Sequence, residues 1–311
     1  MKIITHNGTF HADDVFSVAA LTLYFYSQNK EPKIIRTRDP ETIKTGDIVL
    51  DVGSEYDAER NRFDHHQIGG AGKRANGVPY ASFGLIWKKF GSVIARNEAA
   101  AELVDKNLVQ FIDAADNGEG ELKPFKADVL PYSVKRAIDV FNPDWRDQRP
   151  DFDNWFFQAV NFAAGVLKRE IEFAQAILES RQALEQAYEN SADKRIIVLD
   201  KEYQWEDFFN KYPEPLFVIV PRLGEGDKMV WRLGTVRDDT KSFTNRRDLP
   251  VGWAGKRDEE LVKITGITDV LFCHNKLFVA YAKSKEGALA LAELALKANV
   301  AREFNLCLLT K

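Results

Sequence analysis

The sequence predicts an α/β protein of two domains, because the pattern of apolar residues changes twice along its 311 residues. In the first third, short apolar runs typical of strands alternate with longer stretches typical of helices, which favours a mostly parallel sheet. An amphipathic stretch over residues 154–190 then predicts one long helix. Beyond it, several strand-like runs precede a final helix, which is typical of a smaller α+β domain. We therefore expect domains over residues 1–190 and 191–311.

The first domain is expected to place polar residues at strand ends. The apolar runs predict strands over Lys2–His6, Lys33–Arg38 and Asp47–Val52, and helices over Asp13–Tyr26, Tyr80–Gly91 and Glu98–Asp116. In an open parallel sheet, functional residues gather outside the carboxyl ends of the strands. His6 and Asp51 both lie at such ends, so both are expected at one crevice.

The second domain is expected to be built mostly from strands. The sequence predicts strands over Arg195–Leu199, Leu216–Val220, Met229–Val236, Asp269–His274 and Leu277–Ala282, and a last helix over Glu286–Ala298.

Composition narrows the functional class. Hydrophobic residues make up 45% of the chain and charged residues 29%, as expected of a protein with a sizeable core. A formal net charge of −4 argues against a protein that coats nucleic acid through a global basic field. Cys273 and Cys307 are too sparse for a disulfide framework, and no basic leader or membrane-length apolar run is evident. These features predict a cytoplasmic protein.

Histidines and aspartates are concentrated near the start of the chain. Four of the five histidines fall within the first 66 residues, as His6, His11 and the pair in Asp64-His65-His66, with Asp13 and Asp51 among them. Imidazole and carboxylate together suit Mn²⁺, Zn²⁺ or Co²⁺. A strand-end carboxylate such as Asp51 can bridge two ions, and two ions about 3.5–4 Å apart are the usual arrangement for phosphate ester hydrolysis.

Each of these residues also has an ordinary structural explanation. His6 could be a loop residue, Asp13 a helix cap and Asp51 a turn residue. Their coincidence at strand ends and helix starts favours a metal site, and an Asp-His-His triplet has no common structural use. Further along, Asp113 and Asp116 precede an Asn-Gly turn; the turn could explain both, and Asp116 is the preferred additional ligand because it lies nearest the break.

Two pairs of arginines are candidate phosphate ligands. Arg36 and Arg38 share one face of a predicted strand, and Arg246 and Arg247 are adjacent in the second domain. A guanidinium group can bind phosphate through two parallel hydrogen bonds. Surface arginines are nevertheless common, so these residues remain candidates for substrate binding only.

Several segments carry a resemblance to a known family. They are Thr5–Asp13, Arg36–Pro40, Asp47–Gly53, Arg62–Gln67, Ser82–Trp87 and Asp113–Gly118, with shorter matches around Trp205, Leu249-Pro250 and Arg257–Glu259. The Asp-His-His triplet with its upstream motifs resembles the DHH phosphoesterase superfamily. More closely, the chain resembles the melanocyte-proliferating-gene family, whose members are described as 3′–5′ RNA exonucleases.

The resemblance implies a DHH-type N-terminal domain, a substrate-binding C-terminal domain and an active site in the cleft between them. It implies that two metal ions are bound by His6, His11, Asp13, Asp51, His65 and Asp116. The expected metal is Mn²⁺, with Mg²⁺, Co²⁺ or Zn²⁺ as alternatives. His11 stands where the wider superfamily has an aspartate. Asp51 would bridge the ions and His66 would face the phosphate, and His66 and Asp64 are the expected catalytic residues. Ala280-Tyr281 replaces a Gly-Gly pair of the family, which bears on substrate identity.

The resulting hypothesis is a phosphodiesterase that degrades RNA or short oligonucleotides from the 3′ end by attack of a metal-activated water on phosphorus. An alternative with the same site is hydrolysis of a small phosphate compound such as pyrophosphate or a cyclic dinucleotide. A third is a degenerate protein that only binds metal. A zinc deaminase is disfavoured because the expected cysteine ligands are missing. The oligomeric state is left open.

Overall fold

The computed structural model describes residues 1–119, 123, 124, 126, 128–239 and 243–309. This part of the chain forms two compact units, residues 1–178 and 179–311. Each contains a mixed five-stranded sheet combined with helices, which confirms the predicted α/β class. In the ranges given above, no helix has both the length and the apolar character needed to cross a membrane.

The first unit follows the predicted order of elements closely. Its strands are β1 (Lys2–Thr5), β2 (Lys33–Arg36), β3 (Ile48–Leu50), β4 (Tyr56–Asp57) and β5 (Arg62–Phe63). Its helices are α1 (Ala12–Tyr26), α2 (Pro40–Lys44), α3 (Ser82–Ile94), α4 (Glu98–Val104), α5 (Gln110–Asp116) and α6 (Val134–Asp139), and a π-helical segment (Asp105–Val109) joins α4 to α5. The long helix α7 (Phe152–Asn190) begins in this unit.

The sheet of the first unit has the strand order β2-β1-β3-β5-β4. The pairs β1/β2, β1/β3 and β3/β5 are parallel, whereas β4 pairs with β5 in the antiparallel direction. Parallel pairing therefore predominates, as expected, but the β4/β5 hairpin was not predicted. Each of its strands has two residues, and Phe63 is the one fully buried side chain, so there is no alternating pattern to detect.

Helix α1 is the centre of the first core. All its residues from Ala12 to Leu21 are buried, which explains why the sequence is apolar nearly all round the helix. Phe16 packs against Phe83 of α3, with ring centroids 5.5 Å apart. Because the start of α1 is enclosed in this way, Asp13 and Asp14 are also removed from solvent.

The second unit has the strand order β6-β7-β8-β10-β9. The strands are β6 (Ile196–Val198), β7 (Phe217–Leu223), β8 (Met229–Thr235), β9 (Val270–Cys273) and β10 (Val279–Ala282), with helices α8 (Glu206–Phe209), α9 (Asp258–Thr265) and α10 (Lys285–Leu309). Of its strand pairs, β6/β7 is parallel and the others are antiparallel. Separate apolar clusters lie within the unit, one around Phe217 and Leu291 and another around Trp205 and Phe209.

Candidate metal centre

Neighbouring strand ends bring the predicted ligands of the first unit together. His6 directly follows β1, Asp51 follows β3, and His65 lies two residues beyond β5. Because these three strands are parallel neighbours, their carboxyl ends share one edge of the sheet. Asp13 from the first turn of α1 and Asp116 from the end of α5 reach the same place.

Asp51 lies between two imidazole rings and offers one oxygen to each. Its Oδ2 is 3.2 Å from Nε2 of His6, and its Oδ1 is 3.5 Å from Nε2 of His65. The same His65 nitrogen lies 3.2 Å from Oδ2 of Asp116 and 3.9 Å from Oδ2 of Asp13. Three overlapping groups of possible metal ligands result: His6, His11 and Asp51; Asp51, His65 and His66; and Asp13, His65 and Asp116.

The backbone of Asp51 explains how one carboxylate can serve both groups. Its φ is +52°, in the left-handed region that Asp and Asn tolerate better than most residues. Its N–H still donates to the carbonyl of Phe63 at 3.2 Å. The strand therefore ends abruptly at Leu50, and the carboxylate of Asp51 lies between the imidazoles that follow β1 and β5.

Several buried atoms of this cluster have no hydrogen-bond partner of normal geometry. They are Oδ1 of Asp51, Nε2 of His65 and Oδ2 of Asp14. A buried polar atom without a partner is costly, and an ion bound between such atoms is a common explanation. Nitrogen and carboxylate oxygen donors form a set that suits Mn²⁺, Zn²⁺ or Co²⁺. The residues of the cluster therefore fit a site for metal ions.

The electrostatics of the cluster favour a cation. Burial and the nearby charges of Asp51 and Asp116 raise the pKa of Asp13 well above its usual range. Burial lowers the pKa of His65, but the nearby carboxylates of Asp116, Asp51 and Asp13 outweigh this and raise it to about 11. Without an ion, protonated imidazole therefore balances the carboxylates. A divalent cation would do the same and would displace protons as it bound.

Asp13 also fixes the start of α3. Its Oδ2 accepts a hydrogen bond from the backbone N–H of Ser82 at 3.0 Å, and its Oδ1 accepts one from Phe83 at 2.7 Å. These are among the N–H groups that a helix leaves unpaired at its first turn, and a carboxylate there is favoured by the helix dipole. Asp13 is thus both a possible ligand and a helix cap, the two roles that its position in the sequence left open.

Asp64 orients the two histidines that follow it. Its Oδ1 accepts hydrogen bonds from the backbone N–H of His65 at 2.7 Å and of His66 at 3.1 Å, and it lies 2.7 Å from Nδ1 of His66. Its Oδ2 accepts the N–H of Ser54 at 2.5 Å. Asp64 is buried, and through these contacts it orients His65 and His66; its predicted catalytic role stays a prediction.

A cavity of about 980 Å³ opens beside the cluster. His6, His11, Asp51, His66 and Asp116 contribute to its wall. So do five cationic side chains, those of Arg38, Lys44, Arg60, Arg62 and Lys135. Of these cations, only Arg38 was predicted from the sequence as a substrate ligand. Arg60 and Arg62 belong to the undetected hairpin before Asp64, and Lys135 comes from α6, far along the chain.

The other predicted phosphate-binding arginines are placed differently. The side chain of Arg36 is 1% exposed, donates to Asp153 at 2.7 Å and stacks over Phe156 with Cζ 4.3 Å from the ring centroid. Arg246 donates to the carbonyls of Asn210, Tyr212 and Pro215. Both guanidinium groups thus hold the protein's own chain together, while Arg247 is half-buried in the other unit.

Asp14 is the residue of the cluster that sequence reasoning missed. Its Oδ1 accepts the backbone N–H groups of His11 at 2.8 Å and Val15 at 2.9 Å. Its Oδ2 lies 3.2 Å from Nε2 of His6. Burial raises the pKa of Asp14 to about 7, although His6 opposes the shift. Asp13 was predicted as a ligand and Asp14 was not, because no local pattern shows that both aspartates are buried; only the fold does.

Asp113, the less favoured of the two aspartates before the Asn-Gly turn, lies in a buried ion pair. Its Oδ2 is 2.6 Å from a guanidinium nitrogen of Arg74, and its Oδ1 accepts the N–H of Gly84 at 2.9 Å. Arg74 also pairs with Asp105 in the π-helical segment at 2.7 Å. A Cβ on Gly84 would lie 1.8 Å from the Asp113 carboxylate, so the glycine permits this close approach. Of the two, Asp116 is the one that reaches the cluster around Asp51, 3.2 Å from His65.

Comparison with known proteins gives matches over nearly the whole chain. A model of the MYG1 exonuclease family, described as uncharacterised protein family UPF0160, matches residues 2–296. The MYG1 exonuclease of Homo sapiens is 32% identical over 95% of this chain and 85% of its own length. The MYG1 protein of Dictyostelium discoideum is 30% identical over 94% of this chain and 95% of its own length. The MYG1 protein YER156C of Saccharomyces cerevisiae is 31% identical, with 95% of each chain covered.

Proposed function

The chain belongs to the MYG1 exonuclease family, and from this premise we propose that it is a metal-dependent 3′–5′ exonuclease acting on RNA or short oligonucleotides. The observation that carries the proposal is the set of buried, unpartnered donor atoms around Asp51, beside a cavity lined by five cations. The wall also carries the carboxylates of Asp51, Glu55, Asp64 and Asp116, so it suits the phosphate groups of a nucleic acid strand when metal ions are bound there.

In this proposal the ligands divide into two sets that share Asp51. His6, His11 and Asp51 would hold one ion, and Asp13, Asp51, His65 and Asp116 would hold the other. Nε2 of His6 lies 3.2 Å from Asp51, and a proton on Nδ1, which contacts the carbonyl of Asn7 at 3.2 Å, would leave Nε2 free as a ligand. Two Mn²⁺ ions, when bound, would supply activation of water and stabilisation of charge on the phosphoryl oxygens.

The remaining side chains would bind and orient the substrate. Nδ1 of His66 is held by Asp64, which leaves Nε2 available to a phosphate oxygen. The His66 side chain is 58% exposed, so a substrate can reach it. Arg38 and Lys135 line the same cavity and would attract the flanking phosphates. Arg38 is also 3.2 Å from Nδ1 of His6, which places it beside the ligands.

Two assays test this function directly: removal of metal by a chelator, and hydrolysis of end-labelled RNA. We expect EDTA to abolish hydrolysis of a single-stranded RNA, and Mn²⁺ to restore it better than Mg²⁺, Co²⁺ or Zn²⁺. A 5′-labelled strand should shorten progressively, whereas a 3′-labelled strand should release its label as a mononucleotide first. Activity that survives EDTA, or shortening from the 5′ end, would contradict the proposal.

The same assay separates the alternative substrates. Pyrophosphate and a cyclic dinucleotide are compared with RNA at equal concentration, since the cluster could serve any phosphate ester or anhydride. In β10, Ala280 is fully buried and Tyr281 half-buried. These two side chains occupy space that the Gly-Gly pair of the family would leave empty, so the size of the preferred substrate is to be measured. Faster turnover of a small phosphate would favour the second function, and bound metal without any turnover would indicate a metal-binding protein.

A substitution at His11 should change the preference for metals. His11→Asp replaces a nitrogen donor by a carboxylate, which favours the harder ions Mn²⁺ and Mg²⁺ over Zn²⁺. We expect the ratio of Zn²⁺ to Mn²⁺ affinity to fall by roughly tenfold or more, measured by competition with a chromophoric chelator. His274→Gln, in the other unit, is the matched control and should leave the ratio unchanged. An unchanged ratio in His11→Asp would exclude His11 as a ligand.

A further inference from the structure

The unit of residues 179–311 contains a cavity of about 660 Å³ that none of the predicted site residues lines. It lies at the end of β8, between the start of α8 and the segment that precedes β10. Its wall combines the aromatic side chains of Trp205, Phe243 and Phe278 with the cationic side chains of Arg232, Arg237 and Lys276. A volume of this size is in the range of small-molecule sites.

Exposed aromatic rings are the first indication of a ligand. Phe243 is 87% exposed and Phe278 38% exposed, although both are large apolar side chains. The guanidinium of Arg237 lies over Phe243, with Cζ 4.7 Å from the ring centroid. Planar groups such as nucleobases bind proteins by stacking on aromatic rings and on guanidinium planes. The pair formed by Phe243 and Arg237 offers both kinds of surface at the rim of the cavity.

The charges of the wall limit the size of the ligand. Three cations are accompanied by three carboxylates, those of Glu206, Asp207 and Asp248. Arg232 lies 4.0 Å from Glu206, at the outer limit of an ion pair. A duplex or a long polyanionic strand is usually bound by a clear excess of positive charge. A balanced wall is better suited to a ligand with one or two negative charges, such as a single nucleotide.

The polar part of the wall is already ordered. The hydroxyl of Thr235 donates to Oδ1 of Asn245 at 2.8 Å, and Nδ2 of Asn245 donates to Oδ1 of Asp248 at 2.7 Å. Trp205 is almost completely buried, and its indole lies 3.2 Å from the position of a Cβ on Gly234. The lack of a side chain at Gly234 therefore lets the indole form part of a rigid wall. Such preorganisation lowers the entropic cost of binding.

We propose that this cavity binds one unpaired nucleotide, with its base stacked on Phe243 and its phosphate held by Arg232 and Lys276. The ligand can be a free mononucleotide or one residue of a single strand, since both present the same base and phosphate. This binding deepens the proposed function, on which it rests, because the second domain is expected to bind substrate; it requires neither the metal ions nor the residues around Asp51.

Isothermal titration of the full chain with AMP, in EDTA, tests the proposal without hydrolysis. We expect AMP to bind more tightly than adenosine or ribose 5-phosphate, because each of these lacks one of the two recognised groups. Phe243→Ala should weaken AMP binding roughly tenfold or more, the usual effect of removing a stacked aromatic ring, and Phe243→Tyr should retain it. Arg232→Gln should weaken binding of AMP but not of adenosine.

Matched controls come from elsewhere in the chain. Phe173→Ala removes another exposed phenylalanine, and Arg257→Gln disrupts another arginine that stacks on an aromatic ring, 4.6 Å from the centroid of Phe272. Neither residue lines the cavity, so both variants should bind AMP normally. Tighter binding of pentaadenylate than of AMP would identify a strand as the natural source, and weaker binding would identify a free nucleotide.

The proposal is overturned if AMP and pentaadenylate fail to bind at millimolar concentration, or if Phe243→Ala binds AMP as well as the unaltered protein. Equal affinity for ribose 5-phosphate and AMP would also overturn it, because the base would then contribute nothing. Normal RNA hydrolysis together with any of these results leaves the exonuclease proposal intact. Conversely, specific AMP binding without hydrolysis of RNA would refute only the exonuclease.

Discussion

Asp51→Asn is expected to reduce RNA hydrolysis by about a thousandfold or more. Asp51 is the one residue shared by both proposed ligand sets, with one oxygen 3.2 Å from His6 and the other 3.5 Å from His65. Loss of a carboxylate that would serve both ions would remove several kcal/mol of charge stabilisation in the transition state, and roughly 1.4 kcal/mol corresponds to a tenfold change in rate. The measurement is kcat/KM for a short RNA at saturating Mn²⁺.

Asparagine is the appropriate substitute because of the backbone at this position. With φ at +52°, an alanine would add strain to the loss of charge, whereas Asn tolerates the left-handed region nearly as well as Asp. Asp47→Asn is the matched control, since Asp47 precedes the same strand, is exposed, and accepts the N–H of Lys2 through an oxygen that Asn also possesses. It should retain full activity.

The same variant has a second readout that does not depend on activity. A ligand that binds only the folded protein stabilises it by about 4 kcal/mol when present at about a thousand times its Kd. We therefore expect Mn²⁺ to raise the Tm of the unaltered protein and of Asp47→Asn, but to raise that of Asp51→Asn much less. An equal rise in Tm for Asp51→Asn would show that the ions bind elsewhere, whatever its activity.

Much of this candidate centre could be predicted from the sequence because its proposed ligands follow short-range rules. His6 and Asp51 directly follow apolar runs, and polar residues at the ends of parallel strands converge at one edge. The Asp-His-His triplet adds a pattern with no common structural role. The types of ligand atom, and the edge of the sheet at which they lie, can therefore be predicted from the sequence.

The roles of the remaining polar residues depend on contacts that are remote in sequence. Arg36 finds its carboxylate partner 117 residues away, and Arg74 finds Asp113 39 residues away. No local pattern distinguishes Arg36, which is buried, from Arg38, which is exposed two positions later. For the same reason, the burial of Asp14 beside Asp13 and the cationic lining contributed by Arg60, Arg62 and Lys135 emerge only from the fold.

At pH 8.5, Arg74→Met is expected to destabilise the protein by about 3–5 kcal/mol, because it leaves the carboxyl group of Asp113 buried without its partner. The side chain of Asp113 is fully buried and that of Arg74 7% exposed, so water cannot replace the lost cation. The measurement is the free energy of unfolding from urea denaturation. Arg146→Met is the control, since Arg146 pairs with Asp144 on the surface and should contribute less than about 1 kcal/mol.

The pH dependence of this loss distinguishes an unpaired charge from lost packing. Burial raises the pKa of Asp113 to about 7 even though Arg74 lowers it, so without Arg74 the pKa should rise further. Below pH 7, Asp113 is then protonated in both folded proteins, so its charge contributes little to the difference between their free energies of unfolding. Above pH 7, the unaltered protein can ionise Asp113 beside Arg74, whereas the variant must keep the proton or bury a bare charge. The destabilisation by Arg74→Met should therefore be larger at pH 8.5 than at pH 6.

A double-mutant cycle with Asp113→Asn completes the argument. Asparagine keeps an oxygen that can accept the N–H of Gly84 but carries no charge, so Arg74→Met should cost less in that background. We expect a coupling energy of roughly 2 kcal/mol, within the range for contacting residues, and no increase of the loss between pH 6 and pH 8.5. Equal losses of stability in both backgrounds would mean that Arg74 does not act through Asp113. It would then act through its ion pair with Asp105 and through packing on Tyr80, whose ring centroid lies 4.3 Å from its guanidinium carbon.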